Sequence, residues 1–177
     1  MMQPGDVILI YNMPYPIGNW VIDWVSCATE RLGHCATVLD DGGMPTVYEA
    51  AIPVARKLTV LGYAVQLALW AGDRAWGRRR TGMRLRYQVW RPPAVTGAEL
   101  EAMRGEAEKW LGVEYSMIWN YLTDSPKIHC SEMAGRVLET GLIVPKWSKP
   151  HSKITPMDVR NVLEAAGLNV VEEVTLP

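Results

Sequence analysis

A chain of 177 residues that is 49% hydrophobic, with a formal net charge of -1, has apolar material for a folded core and no global pull toward nucleic acid or an anionic membrane. Three cysteines, Cys27, Cys35 and Cys130, are too few and too oddly numbered for a disulfide framework, which favours a reducing compartment. The opening MMQPGDVILIYN lacks a basic leader and a cleavage site, and no apolar run reaches the ~18 residues of a membrane span, so a soluble chain without a membrane span or classical signal peptide is expected.

Gly5 and Asp6 lead into VILIY, a β-branched run that predicts a buried strand ended by the turn-forming NMPYP segment. Trp20, Val21, Trp24, Val25, Ala28 and Leu32 recur at helical spacing, with Gly33 placed to end that helix. Two strand-like segments, 34–39 and 46–51, flank Asp40-Asp41-Gly42-Gly43 and predict a hairpin. With the turn centred between Asp41 and Gly42, His34 and Glu49 become cross-strand neighbours with Cβ atoms roughly 5 Å apart. A one-residue slip would turn them to opposite faces.

Over residues 53–82, Leu58, Leu61, Val65 and Leu69 predict one or two helices before the Arg78-Arg79-Arg80 run. Leu85 to Trp90 alternates as a strand does and is stopped by Pro92-Pro93. Thr96 and Glu99 form a capping-box pair ahead of a helix carrying Leu100, Met103, Ala107 and Leu111 and closed by Gly112. A second helical segment is expected from Tyr115 to Leu122. Cys130-Ser131 opens another helix, with Met133, Ala134, Val137 and Leu138 apolar and Gly141 as its end. Thr155-Pro156 with Asp158 starts one more, ended by Gly167, and a strand from Val170 to Val174 follows. With no repeat or linker, the expectation is a single α+β domain spanning 1–177.

Cys130 stands at the first turn of its helix, where unpaired backbone N–H groups and the helix dipole favour a thiolate and point at any oxyanion formed when that thiolate attacks a carbonyl. The plainer reading of Cys130 is a buried small hydrophobe. His34 titrates near neutrality and suits a general base; Glu49 is the carboxylate that would hold its tautomer. Taken singly, each is more simply a satisfied or solvated side chain.

GDVILI, Gly33-His34-Cys35-Ala36-Thr37-Val38, Val47-Tyr48-Glu49-Ala50, Trp90-Arg91-Pro92-Pro93, Gly112-Val113-Glu114-Tyr115 and His129-Cys130-Ser131-Glu132-Met133 fall in the order of the YiiX-like branch of the NlpC-type papain-like superfamily, which the chain resembles. The resemblance implies a circularly permuted papain-like fold, a small antiparallel sheet or half-barrel packed against helices, in which the histidine strand precedes the cysteine helix. It implies Cys130 as nucleophile, His34 as base and Glu49 as orienter, with Tyr115 and Ser131 near the substrate or oxyanion. It also implies a cysteine peptidase or amidase with no cofactor or metal, acting on a cell-wall or other small peptide, or on an acyl substrate as a lipid hydrolase or acyltransferase. A bacterial or phage-encoded protein, cytoplasmic or released, fits that family. Two departures stand out: Cys35 where a small apolar residue is common, and a loose match over 11–33.

Two other readings stay open. The dipeptides His34-Cys35 and His129-Cys130 could be zinc ligands, although adjacent strand residues face opposite ways and no familiar ligand spacing is present. Arg78, Arg79, Arg80, Arg84 and Arg86 could make a non-catalytic, anion-binding module, against a simpler solvated loop beside a strand edge. His151 and Cys27 receive no role.

Overall fold

The computed structural model describes residues 1–12, 32–72, 84–116 and 126–176. Six strands form one antiparallel sheet: β1 Val7–Tyr11, β2 Leu32–Asp41, β3 Met44–Ala50, β4 Ala55–Thr59, β5 Arg86–Arg91 and β6 Asn169–Thr175, in the order β4-β3-β2-β1-β5-β6. The β-branched run of β1 is buried throughout because it is interior to the sheet and covered on both faces. Ahead of it, the buried Asp6 carboxylate accepts two hydrogen bonds from Arg91, at 2.7 and 2.8 Å, pinning β5 to the start of β1.

The helix expected over residues 20–33 lies outside the described residues except at its end, where Leu32 and Gly33 open β2 instead. Backbone pairing of His34 with Ile10, and of Leu32 with Tyr11 across an irregularity, extends the strand through this Gly. The hairpin forms, with its turn one residue later than expected. Gly42 and Gly43 both have positive φ, 65° and 88°, as a two-residue hairpin turn requires. Thr37 therefore pairs with Tyr48, and continuing that register sets Ala36, rather than His34, opposite Glu49.

The helix periodicity after residue 53 is real but begins later. Leu58 belongs to β4, and α1 runs Val60–Gly72. This helix carries no charged residue, so either apolar stripe could face the core; Tyr63 and Leu67 do, leaving Leu61, Val65 and Leu69 exposed at 76%, 52% and 63%. Helix α2, Gly97–Glu108, starts at the Thr96–Glu99 capping box and ends before Leu111, the chain then turning at Gly112 with φ 82°. Tyr115 pairs in an isolated bridge with Ile128 rather than opening a helix; the rest of that expected segment, from residue 117, lies outside the described residues.

Helices α3, Cys130–Thr140, and α4, Pro156–Ala165, match the expected starts, α4 with a Thr155–Asp158 capping box. Gly141 ends α3 without being left-handed; a Cβ there would collide with Met103 of α2. The left-handed residue is Leu142, φ 56°. Helices α2, α3 and α4 cover one face of the sheet through Met103, Ala107, Met133, Val137, Val159 and Leu163, and α1 covers the other. Among the described residues no helix is long and apolar enough to cross a membrane.

Candidate functional site

Pairing between β2 and β3 stops at Thr37–Tyr48 although both strands continue, which leaves residues 34–36 and 49–50 flanking an unpaired gap. Adjacent residues of β2 face opposite ways across it. Cys35 joins the cluster under α3, whereas His34 meets Trp70 of α1 edge-on, ring centroids 6.1 Å apart. Cys130, buried at the first turn of α3, belongs to the same cluster as Cys35, and its thiol and the His34 ring act on each other electrostatically.

His34 Nε2 donates to Glu49 Oε2 at 2.8 Å, and both residues are almost wholly buried, at 2% and 1% exposure. Nδ1 is thereby left as the ring nitrogen that can exchange a proton with Cys130. The other Glu49 oxygen accepts from Arg56 Nε at 2.8 Å and Nη2 at 2.7 Å. Burial alone would push the Glu49 carboxyl up, but His34 and Arg56 outweigh it and hold it below its ordinary value. For His34, burial pulls the pKa down while the Cys130 and Glu49 charges and hydrogen bonds lift it, to about 10. The Cys130 thiol goes the other way: the Cys35 hydrogen bond and the His34 charge overcome burial and hold it well below an ordinary thiol. Both shifts favour the charged forms of the pair.

The Tyr115 phenol is pushed well up by burial and then by the Cys130 charge, so it stays protonated. The Ser131 hydroxyl is committed elsewhere: it donates to the Ile154 carbonyl at 2.7 Å. His129 is the N-cap of α3. Its Nδ1 accepts from Glu132 N at 3.1 Å and its Nε2 donates to the Ser152 carbonyl at 3.1 Å, so both ring nitrogens are occupied and neither is left for a metal. Among the described residues no group of three or more His, Cys, Asp and Glu side chains is arranged to hold a metal ion. His151 pairs with Glu139 at 2.8 Å. Of the arginines, Arg86 is held by Glu173 and the Tyr11 ring, and Arg84 is exposed; Arg78, Arg79, Arg80 and Cys27 lie outside the described residues.

Three residues at the site escaped the sequence reading. Arg56 faces Glu49 directly in the β3–β4 register, which was hidden because β4 read as helix. Cys35 stood out as a departure from the family pattern and in the His34-Cys35 zinc reading, not as a neighbour of the Cys130 thiol. Tyr63 of α1 is fully buried, its hydroxyl without a partner and its phenol pushed up by burial and then by Glu49; no spacing signal marks it.

Fold and site together define an α+β protein with a buried strand histidine bonded to a buried glutamate and a buried cysteine opening a helix. No protein-family model and no curated protein matches the chain. Among solved structures its fold is similar to that of the metalloprotein yiiX from Escherichia coli O157:H7, DUF1105, with a TM-score of 0.59 and 14% identity over 99% of this chain and 98% of that one. At that identity the likeness is one of fold, YiiX-like along nearly the full length of both chains.

Proposed function

We propose that the chain is a thiol hydrolase of the permuted papain-like type, cleaving an amide or ester bond through an acyl-enzyme on Cys130. The observation that carries the reading is the buried pair in which Glu49 accepts from His34 Nε2 at 2.8 Å, with the Cys130 charge acting on the same ring. In this reading the Cys130 thiolate attacks the carbonyl carbon, and the resulting oxyanion takes hydrogen bonds from backbone N–H groups at the start of α3 and from Tyr115. His34 then gives its Nδ1 proton to the leaving amine or alkoxide, and the acyl thioester is hydrolysed by a water that His34 deprotonates. Glu49, fixed by Arg56, keeps the ring in place through both proton transfers. Cell-wall peptides are the first substrate class to screen and acyl amides or esters the second.

The test is covalent labelling with a thiol-reactive acyl probe, followed by turnover of activated esters and peptide amides. Cys130→Ala is expected to abolish labelling at this site and all turnover. Undiminished labelling of the variant refutes the assignment.

A further inference from the structure

Helix α1 is apolar on both sides, and the sheet uses only one of them. Tyr63 and Leu67 face inward and Trp70 meets His34, whereas Leu61, Ala64, Val65, Ala68 and Leu69 are all exposed, Leu61 and Leu69 at 76% and 63%. That set recurs at i, i+3, i+4, i+7 and i+8, which winds into one continuous stripe along an α-helix. No charged residue interrupts it, and the half-buried Gln66 stands beside it rather than in it. Exposed leucines scattered singly are ordinary, but a contiguous apolar stripe where a surface helix normally carries its charges marks an interaction surface. The sequence leaving this helix says what kind of partner fits. Residues 73–84, DRAWGRRRTGMR, carry Arg74, Arg78, Arg79, Arg80 and Arg84 against one acid, Asp73, with Trp76 among them. We infer that the outer face of α1 is a docking surface for an anionic lipid bilayer.

An interfacial helix lies in the plane of the membrane with its apolar side sunk about 5–10 Å into the headgroup and acyl boundary. Two contributions hold it there: burial of the apolar side chains, and attraction of neighbouring cations to acidic headgroups. The stripe of α1 supplies the first and the arginines that follow it in sequence supply the second. The helix has 13 residues, Val60–Gly72. At that length it extends roughly 20 Å, short of the ~30 Å hydrocarbon core, so it suits lying on a bilayer and not crossing one. A second copy of the chain pairing through the same stripe would bring another set of these arginines and no acids to meet them. A neutral lipid surface would accept the leucines and leave the arginines unanswered. Acidic headgroups over an apolar interior match both features at once.

The test is flotation of the full chain with vesicles of phosphatidylcholine alone or mixed with phosphatidylglycerol. Wild type is expected to float with the mixed vesicles at about 0.05 M salt, to lose that binding roughly 10-fold or more at about 0.5 M, and to stay behind with neutral vesicles. In the triple variant Leu61→Gln, Val65→Gln and Leu69→Gln, its fold checked by circular dichroism and thermal melting, binding to mixed vesicles falls at least about 10-fold. Should that variant not fold, Leu61→Gln alone, at the most exposed of the three positions, carries the same test with a loss of about 3-fold. No flotation at low salt, equal flotation with neutral vesicles, or unchanged flotation of a folded stripe variant overturns the proposal. So does a wild-type dimer, seen by sedimentation velocity without vesicles and abolished in the stripe variant, since the face then belongs to a second copy. Flotation needs neither substrate nor turnover, so its failure leaves the hydrolase reading standing, and unaltered labelling of Cys130→Ala leaves the docking surface standing.

Discussion

Replacing Glu49 with Gln keeps the shape of the side chain and removes its charge, so it isolates what the carboxylate does for His34. The native ring donates to Glu49 at 2.8 Å in a site where both partners are buried, and its pKa is raised to about 10 by Cys130 and Glu49 against the opposing effect of burial. A buried hydrogen bond to a charged group contributes roughly 1.5–3 kcal/mol, so its loss lowers the His34 pKa by ~1–2 units. With the imidazolium disfavoured, the thiolate it faces is disfavoured to a similar extent. Iodoacetamide alkylation of Cys130, followed peptide by peptide from about pH 5 to about pH 9, reads this directly: below the midpoint the rate falls roughly 10- to 100-fold, and the midpoint moves up by ~1–2 units. Thermal melting of the variant checks that the sheet survives. An unchanged alkylation profile in a folded Glu49→Gln protein would show that the carboxylate does not act on the histidine, and the relay would have to be abandoned.

The ion pair also sets a stability profile: the raised His34 contributes fully below its unfolded value of 6.5 and fades as pH rises through about 10, while the lowered Cys130 contributes fully above its unfolded value of 9.0 and fades as pH falls through its folded one. Between those unfolded values the folded ion pair and the unfolded neutral pair hold the same number of protons, so urea stabilities of wild type and Cys130→Ala should differ by a constant amount there and converge on either side; a steady slope across that interval refutes the pair. Thr37→Val removes a buried hydroxyl that has no hydrogen-bond partner and should stabilise by about 1 kcal/mol in the same assay. A loss of more than that size would reveal a partner for Thr37. Leu142→Gly relieves a left-handed residue, φ 56°, whose side chain is 78% exposed, and should raise stability by roughly 0.5 kcal/mol in thermal and urea unfolding, with a drop pointing to a packing role for the leucine.

Much of this architecture was legible because it rests on local signals. The Thr96–Glu99 and Thr155–Asp158 boxes, the Gly42-Gly43 turn and the β-branched core of β1 are chemical requirements of caps, turns and interior strands. What failed depended on distant partners. Leu32 and Gly33 fit a helix by spacing, yet pairing with β1 draws them into a strand; Leu58 fits a helix and pairs with Val47 instead. In α1 the stripe Leu61, Val65, Leu69 was visible, but a helix without charges gives no indication of which side meets the sheet. The candidate site survived an error in the hairpin register because the error was even: His34 and Glu49 moved from directly opposite to diagonal and kept a common face, close enough for a 2.8 Å hydrogen bond. Arg56 and Tyr63 come from the elements whose type or facing was misread, and so stayed out of view.

That parity bears on how the hairpin can change over generations. A pair of residues added within the paired arms of β2 and β3 slides one arm along the other and returns every side chain to its former side. A single added residue sends Glu49 to the side facing α3 unless a bulge absorbs it, and so separates a buried carboxylate from the guanidinium and imidazole that neutralise it. Natural length variation in this hairpin should therefore come in steps of two, or arrive together with a bulge, while the outer end at Gly42-Gly43, where an added side chain would touch nothing, stays confined to residues that tolerate a positive φ.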